Sequence, residues 1–254
     1  MSAGDDDLNW CVEQACREGW PAATETVVDG WLLRQSGGRI RRTNSANPLR
    51  GKRGAPDAVI DTTESFYIGH GQTPLFRVPD IAGELEAALD HRGYQPEGGT
   101  IHLHAGIGDL AEVRDEQVTV LKVPDEDWLA AKFRMGAFDD AERRIFRQMT
   151  GLIVGERAFV SCERDSEIAA LAYGVIRNGL LVLESVETDG RFRQQGLGRK
   201  TVGGLIDWAR RAGAHAACLQ VVADNTPARA LYASLGFSRE LYRYHYRRKP
   251  HEPR

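Results

Sequence analysis

The stretch Gly179–Gly198, GLLVLESVETDGRFRQQGLG, constrains the chain more than any other. A strongly apolar strand over Leu180–Thr188 runs into a bend ending Arg193-Gln194-Gln195-Gly196-Leu197-Gly198, and a helix starts at once. The first backbone N–H groups of a helix have no partner inside it, and the macrodipole adds partial positive charge there. Glycine at 196 and 198 removes the Cβ atoms that would hold an anion away from the main chain. The segment therefore offers a cradle for an anionic group such as a pyrophosphate, with Arg193, Arg199 and Lys200 as cations around it. A Walker loop needs GxxxxGK[ST], but Arg193 stands where its first glycine belongs and Arg199 separates Gly198 from Lys200-Thr201. A dinucleotide fingerprint needs GxGxxG, and Thr201 takes its third glycine. On this stretch alone, a helix that merely begins with glycines remains the plain alternative.

Around this segment the second half alternates strands and helices. Helical periodicity covers Asp127–Met149 with a break near Gly136, and strands follow at Arg157–Cys162, Ile168–Ile176 and Leu180–Thr188. Asn178-Gly179 is a hairpin signal. Val202, Leu205, Ile206 and Ala209 form one buried stripe on the helix Gly196–Gly213. A strand at Ala217–Val222 leads to a helix with Thr226 as N-cap, Pro227 at its first position and Gly236 at its C-cap, then a strand at Leu241–Tyr246. The first half gives a helix at Leu8–Arg17 and strands at Thr26–Leu33 and Arg39–Thr43 joined by a Gly37-Gly38 turn. A helix from Pro56, a strand at Leu75–Val78, a helix at Ile81–His91 and a strand at Thr100–His104 follow. A chain of 254 residues suits two modest domains, placed at 1–112 and 113–254. The fold class is α/β (α+β), a mixed sheet flanked by helices.

The bend Arg193–Gly198 matches [QR]xxGx[GA], and Asn225…Ala228…Leu231-Tyr232…Leu235-Gly236-Phe237 follows one helix and one strand later. In that order the two motifs resemble the GNAT superfamily of acyl-CoA-dependent N-acetyltransferases, over residues 118–246. Gly190 departs from the pattern, since many members carry proline there; the turn changes but not the cradle. The resemblance implies a mixed, mostly antiparallel sheet with acetyl-CoA as co-substrate. Val186, Glu187 and Thr188 would form the edge that pairs with the pantetheine amides. Arg193, Gln194, Gln195, Gly196, Leu197, Gly198 and Arg199 would hold the pyrophosphate, Asn225 would approach the pantetheine arm from the neighbouring strand end, and Tyr232 would join the coenzyme site from the helix that follows. Asp29–Arg34, Arg41–Ser45, Pro74–Val78 and Tyr242–Tyr246 look like blocks of a tandem-GNAT subgroup whose N-terminal copy has lost the cofactor loop. That half would complete the acceptor cleft.

GNAT chemistry implies direct attack of a neutral amine on the thioester in a ternary complex, with proximity supplying much of the rate. A backbone N–H of the Leu180–Thr188 strand would meet the carbonyl oxygen, and Tyr232 would protonate the departing thiolate. Glu184 and Glu187 are the carboxylates available as base, on opposite faces of the strand unless a bulge intervenes. The acceptor is a primary amine of a small molecule, peptide or protein whose identity the sequence leaves open. The alternative is a catalytically inactive acyl-CoA-binding sensor or interaction module.

Other features are read plainly. His102 and His104 share a strand face but lack a third ligand at metal spacing, so no metal is expected. Cys218 is core packing, and the four cysteines read as reduced thiols. Arg34, Arg39, Arg41, Arg42, Arg50, Lys52 and Arg53 form an acid-free run, read as a solvated loop or as an anion-recognising wall. The net charge of −3 sets nucleic-acid binding aside. No apolar run is long enough for a membrane span, and the acidic opening is unlike a signal peptide. The expectation is a cytoplasmic monomer or homodimer.

Overall fold

The computed structural model describes residues 3–113, 115 and 117–250. Its centre is one eleven-stranded sheet in the order β1-β2-β3-β4-β11-β5-β10-β9-β8-β7-β6. The first half contributes α1 (Ala3–Gly19), β1 (Thr24–Val28), β2 (Trp31–Gln35), β3 (Ala46–Pro48), α2 (Pro56–Gly69), β4 (Leu75–Pro79), α3 (Glu86–His91) and β5 (Gln95–Gly106). The second contributes β6 (Val118–Leu121), α4 (Glu126–Met135), α5 (Asp140–Leu152), β7 (Arg157–Arg164), β8 (Glu167–Arg177), β9 (Leu180–Thr188), α6 (Leu197–Arg211), β10 (Ala216–Val222), α7 (Thr226–Leu235) and β11 (Arg239–Arg248). Pairing is antiparallel except between β9 and β10 and at one bridge between β3 and β4. The mixed, mostly antiparallel sheet is the one the sequence implied.

Local signals explain most elements. Asn178 and Gly179 both take positive φ, 50° and 74°, as a two-residue hairpin turn requires. The α6 stripe Val202, Leu205, Ile206 and Ala209 is fully buried against Val160, Ala172 and Leu181. Three expectations need correction. The first hairpin turns at Asp29-Gly30, with Val28 opposite Trp31 and φ of 48° and 78°, and Arg41–Thr43 is a turn of 3-10 helix. The helix expected at Ile81–His91 is a 3-10 turn at Asp80–Ala82 followed by the shorter α3. Asn225, not Thr226, caps α7: its side-chain oxygen accepts from the Ala228 N–H at 3.2 Å.

The two halves exchange elements. Helix α1 buries Val12, Ala15 and Cys16 with Leu180, Val182, Ala216 and Cys218 of the second half, and β11 lies between β4 and β5 of the first. Where these intruders meet, the Tyr242 hydroxyl donates to Glu13 Oε2 at 2.7 Å and Arg77 donates to both Glu13 oxygens. Burial pushes the Glu13 carboxyl up, but Arg77, His102 and the Tyr242 hydroxyl together bring it down to about 2. Removing one member of a buried pair strands the other, so Glu13→Ala is expected to lower the unfolding free energy by about 3–5 kcal/mol in urea titrations. A depressed carboxyl stabilises the fold above its unfolded value, about 4.3. This contribution is therefore intact at neutral pH and is lost as pH falls towards 2. In Glu13→Ala that acid-side decline should be shallower.

Candidate active site

Strands β9 and β10 pair from Leu180 and Ala216 to Leu183 and Leu219, where their register ends. Each keeps its other neighbour: β9 follows β8 to Thr188, and β10 follows β5 to Val222. The two strands therefore part into a fork, leaving the inner edge of β9 after Leu183 without a strand partner among the described residues. At the mouth of the fork β9 bulges. Tyr173 faces Glu184 and Leu171 faces Glu187, so Ser185 and Val186 together oppose Ala172, and Ser185 takes a φ of 51°. The extra residue returns Glu187 to the face of Glu184. Both carboxylates act on Lys132 of α4, while Val186 packs on the α6 side.

A cavity of about 800 Å³ runs along this edge. Val186, Glu187 and Thr188 line it from the strand, Arg193, Gln194, Gly196, Leu197, Gly198 and Arg199 from the bend, and Asn225 and Tyr232 from α7. Gln195 is the one expected coenzyme residue that does not line it. Gln194 and Gly196 on either side are left-handed, φ 62° and 76°, and the sharp bend leaves Gln195 exposed. Met135, Phe192, Pro227, Ala228 and Leu231 complete the wall; sequence reasoning gave none of them a place in the site.

The cradle is built as the glycines require. Gly196 is the N-cap of α6 and gives it no side-chain cap, so the first N–H groups stay available to a ligand. A Cβ on Gly198 would lie 3.2 Å from Thr188 Oγ1 and 3.5 Å from Leu231 Cδ2; strand, bend and α7 converge there. Of the three cations expected around it, Lys200 is paired with Asp115 at 2.7 Å. Arg199 is tied to the Ser234 carbonyl and hydroxyl at 2.8 and 2.7 Å. Arg193 has no ion-pair partner among the described residues and lines the cavity.

Tyr232 is 6% exposed. Burial, reinforced by the Glu184 charge, raises its phenol above the usual tyrosine range, so it stays protonated and able to donate. The two carboxylates differ. Glu184 is buried, and Arg42 Nη1 donates to its oxygens at 2.8 and 2.7 Å; burial nonetheless raises its carboxyl against the pull of Arg42. Glu187 lines the cavity, accepts from the Lys132 ammonium through Oε1, and has a buried Oε2 without a hydrogen-bond partner among the described residues. Burial lowers the Lys132 ammonium although Glu187 opposes the change.

Six of the seven cations of the basic run are ion-paired, and Lys52 is exposed. Arg34, Arg39, Arg41, Arg42, Arg50 and Arg53 pair with Glu25, Glu142, Glu97, Glu184, Asp7 and Glu84 respectively. Apart from Glu25, these partners lie 31 or more positions away, which hid them from local reading. His102 is fully buried and stacks on Tyr242 with ring centroids 4.1 Å apart. Burial, with Arg77 nearby, lowers it to about 3, so it is neutral. Cys218 packs 3.8 Å from the Cys16 sulfur in the core. Among the described residues no group of three His, Cys, Asp or Glu is placed to hold a metal ion, and no helix is long and apolar enough to cross a membrane.

A strand edge freed by a bulge and a fork, followed at once by an uncapped glycine bend, is a GNAT arrangement, and the chain belongs to the GNAT N-acetyltransferase family. Within it, residues 10–247 match the family model described as "Probable histone acetyltransferase Rv0428c C-terminal". The chain is similar to the "Uncharacterized N-acetyltransferase YobR" of Bacillus subtilis, 22% identical with 94% of this chain and 97% of that one covered. In fold it resembles a GCN5-related N-acetyltransferase from Kribbella flavida, with TM-score 0.69, 16% identity, and 98% and 96% of the two chains covered. It also resembles a tandem GNAT protein from the clavulanic acid biosynthesis pathway, with TM-score 0.65, 14% identity, and 83% and 76% covered.

Proposed function

We propose that the protein transfers the acetyl group of acetyl-CoA to a primary amine by direct attack in a ternary complex. The observation that carries this reading is the single cavity joining the unpaired β9 edge, the uncapped start of α6 and Tyr232. The N–H groups at Leu197–Arg199, with Arg193, would hold the diphosphate. Val186–Thr188 would pair with the pantetheine amides, and a bulge N–H would receive the carbonyl oxygen as it gains charge. The amine nitrogen forms a bond to the acetyl carbon as the carbon–sulfur bond breaks. Glu187, which lines the cavity, takes the proton of the arriving ammonium before attack; the thiolate takes its proton from the Tyr232 hydroxyl, and the second proton, shed by the nitrogen as the amide forms, restores that hydroxyl. Glu184, engaged with Arg42, is a lesser candidate for the base. The family model's description names a probable histone acetyltransferase, and a protein amine of that kind falls within the proposed acceptor class. On this reading residues 113–254 carry the coenzyme and residues 1–112 shape the acceptor side.

Calorimetry with acetyl-CoA, followed by thiol release across a panel of primary amines, tests the proposal. Micromolar binding and turnover on at least one amine are expected, KM values of that order being usual for enzymes. Binding without turnover on any amine would favour the sensor alternative. No heat and no thermal shift with acetyl-CoA would remove the coenzyme reading altogether.

A further inference from the structure

The geometry points to Arg42 as a positioning residue: it braces the two arms of the fork and sets the width of the slot that receives the acyl arm. This role rests on the coenzyme reading above. Arm β9 departs at Glu184 and arm β10 at Gln220, each one residue beyond the last paired position. Arg42 Nη1 reaches both: it donates to the two Glu184 oxygens at 2.8 and 2.7 Å and to Gln220 Oε1 at 3.4 Å. Backbone bonds between the arms stop at Leu183 and Leu219, and the guanidinium takes over where they stop.

The brace is anchored at both ends. Its own carbonyl accepts from Arg34 Nη1 at 3.0 Å, and the buried Arg34 donates through Nη2 to the Trp20 and Arg17 carbonyls at 2.6 and 3.1 Å. The Arg42 guanidinium lies over the Trp20 ring, 4.4 Å from its centroid. On the far arm Gln220 is fixed by the Tyr244 hydroxyl at 3.0 Å and by His102 Nε2 at 3.0 Å. A planar, always charged fork suits a bridge between carboxylate and amide better than a flexible ammonium. Through Arg42 the first half of the chain thus places a side chain at the fork itself.

Two ligands test this on the full-length chain: acetyl-CoA, and 3′-phospho-ADP, which is the nucleotide end of the same coenzyme and needs only the glycine bend. Arg42→Ala should weaken acetyl-CoA about 10-fold, or ~1.4 kcal/mol, and change 3′-phospho-ADP by less than about twofold. Gln220→Ala keeps the Arg42–Glu184 pair and should weaken acetyl-CoA alone, by roughly threefold. It carries the same comparison if Arg42→Ala does not fold. Unchanged acetyl-CoA affinity in the variants, or equal losses on both ligands, would overturn the brace while leaving the coenzyme reading intact. If the unaltered protein bound neither ligand, the coenzyme reading would fail and take the brace with it.

Discussion

Gly198→Glu is expected to abolish acetyl-CoA binding while leaving the fold about as stable as before. Gly198 is the second residue of α6, directly after the uncapped Gly196 and Leu197, and it lines the cavity. A carboxylate there would occupy the place the diphosphate needs and repel it. The same charge near a helix start interacts favourably with the macrodipole, by about 0.3–1 kcal/mol. That gain offsets the tight approach to Thr188 Oγ1 at 3.2 Å. Calorimetry should show a loss of at least about 100-fold, or ~2.7 kcal/mol, with a melting temperature within a few degrees of the parent. A variant that bound acetyl-CoA normally would show that the diphosphate does not rest on this bend.

The second large effect is on turnover. Tyr232→Phe keeps the ring and its edge-on contact with Phe237, 6.0 Å between centroids, and removes only the hydroxyl. If that hydroxyl protonates the thiolate, kcat should fall about 10²–10³-fold with the KM for acetyl-CoA nearly unchanged. The pH profile adds a sign. Burial and the Glu184 charge raise the phenol, so the donor keeps its proton beyond the ordinary tyrosine value of about 10. The parent enzyme should therefore show no alkaline loss from this group below that pH. Full activity of Tyr232→Phe across the pH range would dismiss the acid assignment.

What the sequence disclosed depended on how far each signal reached along the chain. The α6 stripe, the Asn178-Gly179 turn and the glycine bend are each dictated within a few residues, and each is where it was expected. Asp29-Gly30 carried the same kind of hairpin signal as Asn178-Gly179, but it was read as strand interior because apolar residues flank it on both sides. The bulge at Ser185 has no local signal: serine is an unusual residue at positive φ, and it is held there by the pairing of β9 with β8. That one residue decides that Glu184 and Glu187 share a face. The partners of the basic run were likewise invisible, because Arg42 and Glu184 lie 142 positions apart. Arg42 stood in a recognised block, Arg41–Ser45, yet nothing in the block says which carboxylate it meets.

The position of β11 also bears on how the chain is made. This strand is the last of the described elements in sequence, yet it fills the slot between β4 and β5. As the polypeptide emerges from the ribosome, β4 and β5 must wait with unsatisfied edges until residues 239–248 arrive. Exposed edges of that kind invite pairing with other chains. Closure of the sheet therefore depends on docking β11, a contact of long sequence separation and hence a slow one to form.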